Sequence, residues 1–138
     1  MAESETQVVA RLRMISPQFV VPNVKVAAEY YRDVFGFKIL GYFWEPPVYS
    51  IVQRDDVEIH FGKMDDGHDV APNIARRSVS MDAYIWVTDV DALHAELVSR
   101  GAKIVEGPTK TVYKCYEIMV EDKFGFRLTF GMDISGKE

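Results

Sequence analysis

The chain is short of the residues that announce most familiar chemistries. Its 138 residues include a single cysteine, Cys115, and three histidines. One cysteine forms no internal disulfide, which points to a reducing, cytoplasmic compartment, and without a neighbouring base Cys115 reads as an ordinary strand residue. No Cys and His cluster has metal-ligand spacing, no glycine-rich loop could cradle a phosphate, and no Gly-x-Ser-x-Gly elbow is present. The longest apolar runs are strand-length, far below the roughly 20 residues of a membrane span. The opening MAESETQ is acidic and lacks the basic and apolar regions of a signal peptide. Basic clusters are missing too, and the net charge of −5 argues against a nucleic-acid partner and favours a cationic ligand. What remains is an ordinary soluble composition, 48% hydrophobic and 27% charged, in a chain long enough for one domain.

What is there is a duplication. FVVPNVKVAAEYYRDVFGFKIL (Phe19 to Leu40) and YIWVTDVDALHAELVSRGAKIV (Tyr84 to Val105) share one plan of strand, polar turn, helix, glycine and strand. Val24 answers to Val90, and Gly36 to Gly101 after one deletion. The tails repeat as well. YSIVQRDDVEIHF (Tyr49 to Phe61) and YEIMVEDKFGFRLTF (Tyr116 to Phe130) both read as strand, acidic turn, strand, the second turn being two residues longer. Two copies of one unit imply two curved sheets with a concave surface between them, where a site should be sought.

The elements follow from period and punctuation. Val24, Ala27, Ala28, Tyr31 and Phe35 recur at helical spacing and Gly36 supplies a left-handed stop. In the second copy Asp89 stands at the N-cap position ahead of Val90, Leu93, Leu97 and Val98, with Gly101 as terminator. Strands are expected over 17–21, 37–44, 49–53, 57–61, 81–87, 102–105, 116–121 and 126–131. Glu106-Gly107-Pro108 and Asp122-Lys123-Phe124-Gly125 read as turns. Module one thus covers about 14–62, an aperiodic connector about 63–80, and module two about 81–133, within a single domain over 1–138. The first dozen residues read as a loose arm or short helix that docks on a partner. The fold class is α+β: two repeated βαβββ modules forming curved mixed sheets with a concave cleft.

This plan, with EYYRDVFGF (Glu29 to Phe37), VTDVDALHAEL (Val87 to Leu97), RGAKIVEGP (Arg100 to Pro108) and EDKFGFRLTF (Glu121 to Phe130), resembles the vicinal oxygen chelate superfamily of glyoxalases, bleomycin-resistance proteins and extradiol dioxygenases. VQRDDVEIHF, DAYIWVTDVDALHAEL and YEIMVEDKFGF are most similar to the bleomycin-resistance branch. The resemblance implies a homodimer. It also implies that enzymes of the superfamily would carry metal ligands at the positions of Ser16, His60, Asp82 and Thr129 here. Only His60 and Asp82 are suitable donors, and a catalytic divalent site wants at least three. The expectation is therefore no catalytic residue, no cofactor and no bound metal. A metal-dependent glyoxalase-like lyase, isomerase or dioxygenase built on His60 and Asp82 is the alternative.

Strand alternation places Asp82, Tyr84 and Trp86 on one face, Ser16, Gln18 and Val20 on another, and Glu58 with His60 and Arg127 with Thr129 on theirs. Aromatic faces stack planar groups, and the surrounding side chains offer hydrogen bonds. The expected ligand-binding set is Trp86, Tyr84, His60, Asp82, Gln18, Glu58, Thr129 and Arg127. Its ligand would be planar and polar, with cationic groups suited to the acidic chain; the resemblance implies an antibiotic of the bleomycin type, sequestered without catalysis. Tyr42 and Trp44, before Pro46-Pro47, read as a rim against the ligand or as a dimer contact. His94, on the helix, is expected to face solvent, and His68 lies in the connector, so neither is a catalytic candidate.

Overall fold

The structure, a computed structural model, describes residues 7–136; the first six residues of the expected arm lie outside the described residues. In chain order the elements are β1 (Gln18–Val21), α1 (Val24–Phe35), β2 (Lys38–Phe43), β3 (Tyr49–Arg54), β4 (Val57–Lys63), a single 3-10 turn (Asn73–Ala75), β5 (Ala83–Trp86), α2 (Val90–Ser99), β6 (Lys103–Lys110), β7 (Cys115–Glu121) and β8 (Arg127–Asp133). They form two four-stranded mixed sheets with the orders β1-β4-β3-β2 and β5-β8-β7-β6. In each sheet the first strand pairs in parallel with the last, and the other pairs are antiparallel. Among the described residues no helix is long and apolar enough to cross a membrane.

Local chemistry sets the helix boundaries. The Asn23 side chain accepts from the backbone N–H groups of Lys25 and Val26, each at 3.0 Å, and that of Asp89 accepts from Ala92 at 2.9 Å. Both satisfy donors that a helix start leaves open. Gly36 follows α1 with φ 75°, a conformation costly for any side-chain-bearing residue. The buried face of α1 is the set read from sequence, Val24, Ala27, Ala28, Tyr31 and Phe35. On α2 only Val90 and Leu97 are buried; Val98 is exposed, because α2 meets its sheet along a narrower stripe. His94 is half-buried rather than solvent-facing, and His68 is exposed.

One core joins the two modules. Phe19 of β1 stacks on Phe126, just ahead of β8, with centroids 4.6 Å apart and planes 6° from parallel. Tyr31 Oη donates to Asp122 Oδ2 at 2.8 Å, tying α1 to the turn between β7 and β8. The reciprocal tie runs from Arg54, at the end of β3, to Glu96 of α2, with Nη2 to Oε1 at 2.8 Å and Nη1 to Oε2 at 3.1 Å.

One expectation changes. Glu106-Gly107-Pro108 is no turn: it lies inside β6, whose pairing with β7 shifts register on both sides of Glu106. Gly107, at φ 95°, lets the chain stay in the sheet because its bare Cα lies against the Glu117 carbonyl, where a Cβ would collide. The aperiodic connector folds back so that Arg77, Val79 and Ser80, with the adjoining Met81, roof part of the concave face of module two. Ser80 Oγ donates to the Arg77 carbonyl at 3.0 Å, and the Arg77 guanidinium turns back onto the Val79 carbonyl.

Candidate functional site

The helix-free face of module one carries a continuous hydrogen-bonded chain. Gln18 of β1 lies across Gly62, its neighbour-but-one in register, and its Nε2 donates to Tyr49 Oη at 3.1 Å. Tyr49 Oη and His60 Nδ1 are 2.7 Å apart, and His60 Nε2 and Glu58 Oε2 are 2.7 Å apart. One proton arrangement satisfies every member: Tyr49 donates to Nδ1 while the imidazole N–H on Nε2 donates to the carboxylate. His60 is thereby fully engaged by its own strand neighbours.

Module two repeats the geometry with other residues. Tyr84 occupies the register of Gln18, since Gln18 pairs with His60 and Tyr84 with Thr129. Its ring crosses Gly131, which cannot accept even a Cβ beneath the phenol, and its hydroxyl donates to Glu117 Oε2 at 2.7 Å. Tyr113 Oη donates to the same oxygen at 2.7 Å. Burial, reinforced by the Glu117 carboxylate, pushes the Tyr84 phenol far above its ordinary range; for Tyr113 the bond to Glu117 is the leading cause of a rise. Both phenols therefore remain donors at any neutral pH. Trp86 lies beside Tyr84, centroids 4.8 Å apart and tilted by 57°, yet 64% of it is exposed.

Tyr84 lines one of two cavities and is hydrogen-bonded to Glu117, a wall residue of the other. The larger, about 500 Å³, opens between the modules and is lined by Ser16, Glu58, Asp82, Tyr84 and Trp86 among others. The smaller, about 210 Å³, lies beneath the connector and is lined by Glu106, Glu117, Met119 and Thr129 with Arg77 and Val79 of the roof. Of the expected set, Trp86, Tyr84, Glu58 and Asp82 therefore share one cavity, and His60 is bonded to its Glu58 wall. Thr129 belongs to the other. Gln18 lies in the Tyr49 chain, and Arg127 is withdrawn into an ion pair with Glu121 at 3.1 Å.

The donor set for a metal does not converge. Asp82 Oδ1 accepts from Asn73 N–H and Oδ2 from Arg127 N–H, both at 2.8 Å, so this carboxylate fastens the connector to β8. Both His60 nitrogens are engaged. Among the described residues no three His, Cys, Asp or Glu side chains are close enough to hold an ion together. Ser16 and Thr129, the other two positions, are hydroxyls, so the residues present do not fit a divalent catalytic ion.

Sequence reasoning missed Tyr49, Glu117 and Tyr113. Aligning the repeated tails on their tyrosines hides the equivalence, because Tyr49 pairs with Gly62 whereas Glu117 pairs with Gly131. Tyr49 thus answers to Glu117, and Tyr116 points to the other face, where it bonds Asp91 at 2.7 Å. The paired glycines beneath Gln18 and Tyr84 were the available signal.

The sequence profile of the Glyoxalase/Bleomycin resistance protein/Dioxygenase superfamily matches residues 12–130. The chain belongs to this superfamily. The glyoxalase fold recurs in solved structures of low identity. UcmS2 aligns with TM-score 0.69 and 20% identity over 88% of this chain and 98% of its own. TioX from Micromonospora sp. ML1 gives 0.64 and 18% over 87% and 95%, and a glyoxalase/bleomycin resistance protein/dioxygenase from Nocardioides gives 0.66 and 12% over 95% and 89%. No curated protein sequence matches the chain. Within the superfamily, this member has the two-module framework, and the four positions at which the resemblance implied metal ligands hold Ser16, a hydrogen-bonded His60, an Asp82 bonded to Asn73 and Arg127, and a buried Thr129.

Proposed function

We propose that this superfamily member is a small-molecule binding protein, of the bleomycin-resistance type, that holds a planar, polar, cationic ligand in the cavity between its modules without metal catalysis. The observation that carries this reading is Trp86. A ring that large stands 64% exposed in the lining of a cavity of about 500 Å³, next to Tyr84, and the same cavity is lined by Glu58. An indole face with a tilted aromatic neighbour and a nearby negative charge suits an aromatic cation. The metal-dependent lyase, isomerase or dioxygenase reading has against it the prior commitments of Asp82 and His60. Binding of planar aromatic cations, bleomycin among them, should quench Trp86 emission, and Trp86→Ala should weaken binding by about 1 kcal/mol or more, roughly fivefold to tenfold. A folded Trp86→Ala protein that binds as tightly by calorimetry removes the assignment.

The same reading includes a cytoplasmic homodimer. Val8, Leu12 and Ile15 of the arm are at least 90% exposed, and Leu40, Phe43 and Trp44 form a second exposed apolar group on and beside β2. Clusters of this kind mark surfaces covered by another chain. The buried, unpaired Cys115 agrees with a reducing compartment.

A further inference from the structure

We propose that the cavity beneath the connector is a primary-amine subsite, in which Glu117 and Thr129 receive the ammonium group of the ligand that stacks on Trp86. The proposal rests on the binding reading above and names the chemistry of the ligand's second end.

Thr129 is the first argument. Its side chain is 1% exposed, it lines this cavity, and its Oγ1 has no hydrogen-bond partner. A buried hydroxyl without a partner is costly, so a protein that keeps one at the floor of a cavity has a use for it. The equivalent position in module one, His60, has every polar atom engaged. Glu117 is the second argument. Its Oε2 takes the hydroxyls of both Tyr84 and Tyr113, while Oε1 has no partner among the described residues. The two phenols hold the carboxylate in place and leave one oxygen for an incoming donor. The charge of the cavity agrees: among its lining residues the carboxylates of Glu106 and Glu117 outnumber the one cation, Arg77.

A primary ammonium brings three N–H donors and one positive charge, which suits a carboxylate oxygen and a threonine hydroxyl together. An alcohol brings one donor and no charge, and a quaternary ammonium brings charge without a donor. About 210 Å³ is room for an aminomethyl group several times over, against about 30 Å³ for one water in the liquid. Tyr84 lines the larger cavity and its hydroxyl is bonded to Glu117 of the smaller, so a ligand that fills both subsites has to span at least the length of the Tyr84 side chain.

The test uses the full chain with benzylamine, benzyl alcohol and benzyltrimethylammonium as probes, followed by amide resonances and calorimetry. Benzylamine is expected to move the Glu117 and Thr129 amides saturably, and the other two probes are not. Glu117→Gln should lower benzylamine affinity at least tenfold. Thr129→Val should lower it at least threefold while raising the thermal midpoint of the free protein, since it removes an unpartnered hydroxyl at constant shape. A lowered midpoint in Thr129→Val, unchanged benzylamine affinity in that variant, or no saturable shift at either amide overturns the subsite; if Glu117→Gln does not fold, Thr129→Val decides. Should Trp86→Ala weaken all three probes alike while Thr129→Val leaves benzylamine untouched, the stacking site stands and the amine subsite falls. The reverse pattern keeps the subsite and removes the stacking reading.

Discussion

Asp122 shows how much a single buried carboxyl can set the conditions under which the modules stay joined. Burial, with the nearby charge of Asp82 adding to it, pushes its pKa up to about 6 despite bonds from Tyr31, Phe124 and Phe126. Because the folded value lies above the ordinary carboxyl value of 3.8, the folded state prefers the proton. That contribution is complete below about pH 4 and is lost as the pH rises through about 6. Asp122→Asn keeps acceptors for the two backbone N–H groups and removes the buried charge. It should raise stability at pH 7 by on the order of 1–2 kcal/mol and flatten the pH dependence between about pH 4 and 6, as read by urea unfolding. An unchanged pH profile counts against the assignment. Gly131 offers a second residue-scale test. Gly131→Ala puts a methyl where the Tyr84 phenol lies, so it should break the Tyr84–Glu117 bond and cost on the order of 1–3 kcal/mol, visible as a shifted tyrosine signal and a lower urea midpoint.

At the scale of elements, the C-terminus of α1 is held by two arginines from elsewhere in the chain. Arg54 Nη1 donates to the Phe35 carbonyl at 2.9 Å and Arg100 Nη1 to that of Asp33 at 3.2 Å, so positive charge meets the negative end of the helix dipole. Glu96 of α2 aligns both arginines, and its bond to Arg54, the leading cause, holds its pKa below the usual range. Glu96→Gln should cost about 1 kcal/mol of stability at neutral pH, with the difference shrinking in high salt and as acid titrates the wild-type carboxylate. A double-mutant cycle with Arg54→Ala that shows no coupling would refute this link. The same scale explains what was legible. The α1 stripe, the capping Asn23 and Asp89, and the duplicated order of strands follow from local period and local chemistry, which a sequence displays directly. The β6 strand across Glu106-Gly107-Pro108, the exposure of Val98, and the connector's return over module two depend on contacts with distant chain, which no period encodes. The aromatic pair Tyr84 and Trp86 was visible through alternation; its partner Glu117 was hidden by a one-residue offset between the repeated tails.

For the whole molecule, the exposed apolar arm and the β2 edge bear on assembly. If they are the contact of the proposed homodimer, the chain should sediment as a dimer at micromolar concentration, and removing residues 1–15 should shift it toward monomer without loss of secondary structure. A monomer in both forms argues against the assembly. The two glycines under crossing side chains carry a different kind of consequence. Gly62 and Gly131 hold the same place in the two sheets, one lying under Gln18 and the other under Tyr84. The framework thus keeps a vacant berth in each copy, and whatever residue lies across it chooses what the neighbouring strand can hold: an amide and a phenol feeding an imidazole in one half, a phenol fixing a carboxylate in the other. After a duplication, a lineage could rewrite the cargo of one half by substituting position 18 or 84 while the other half, and the architecture of both, went on unchanged.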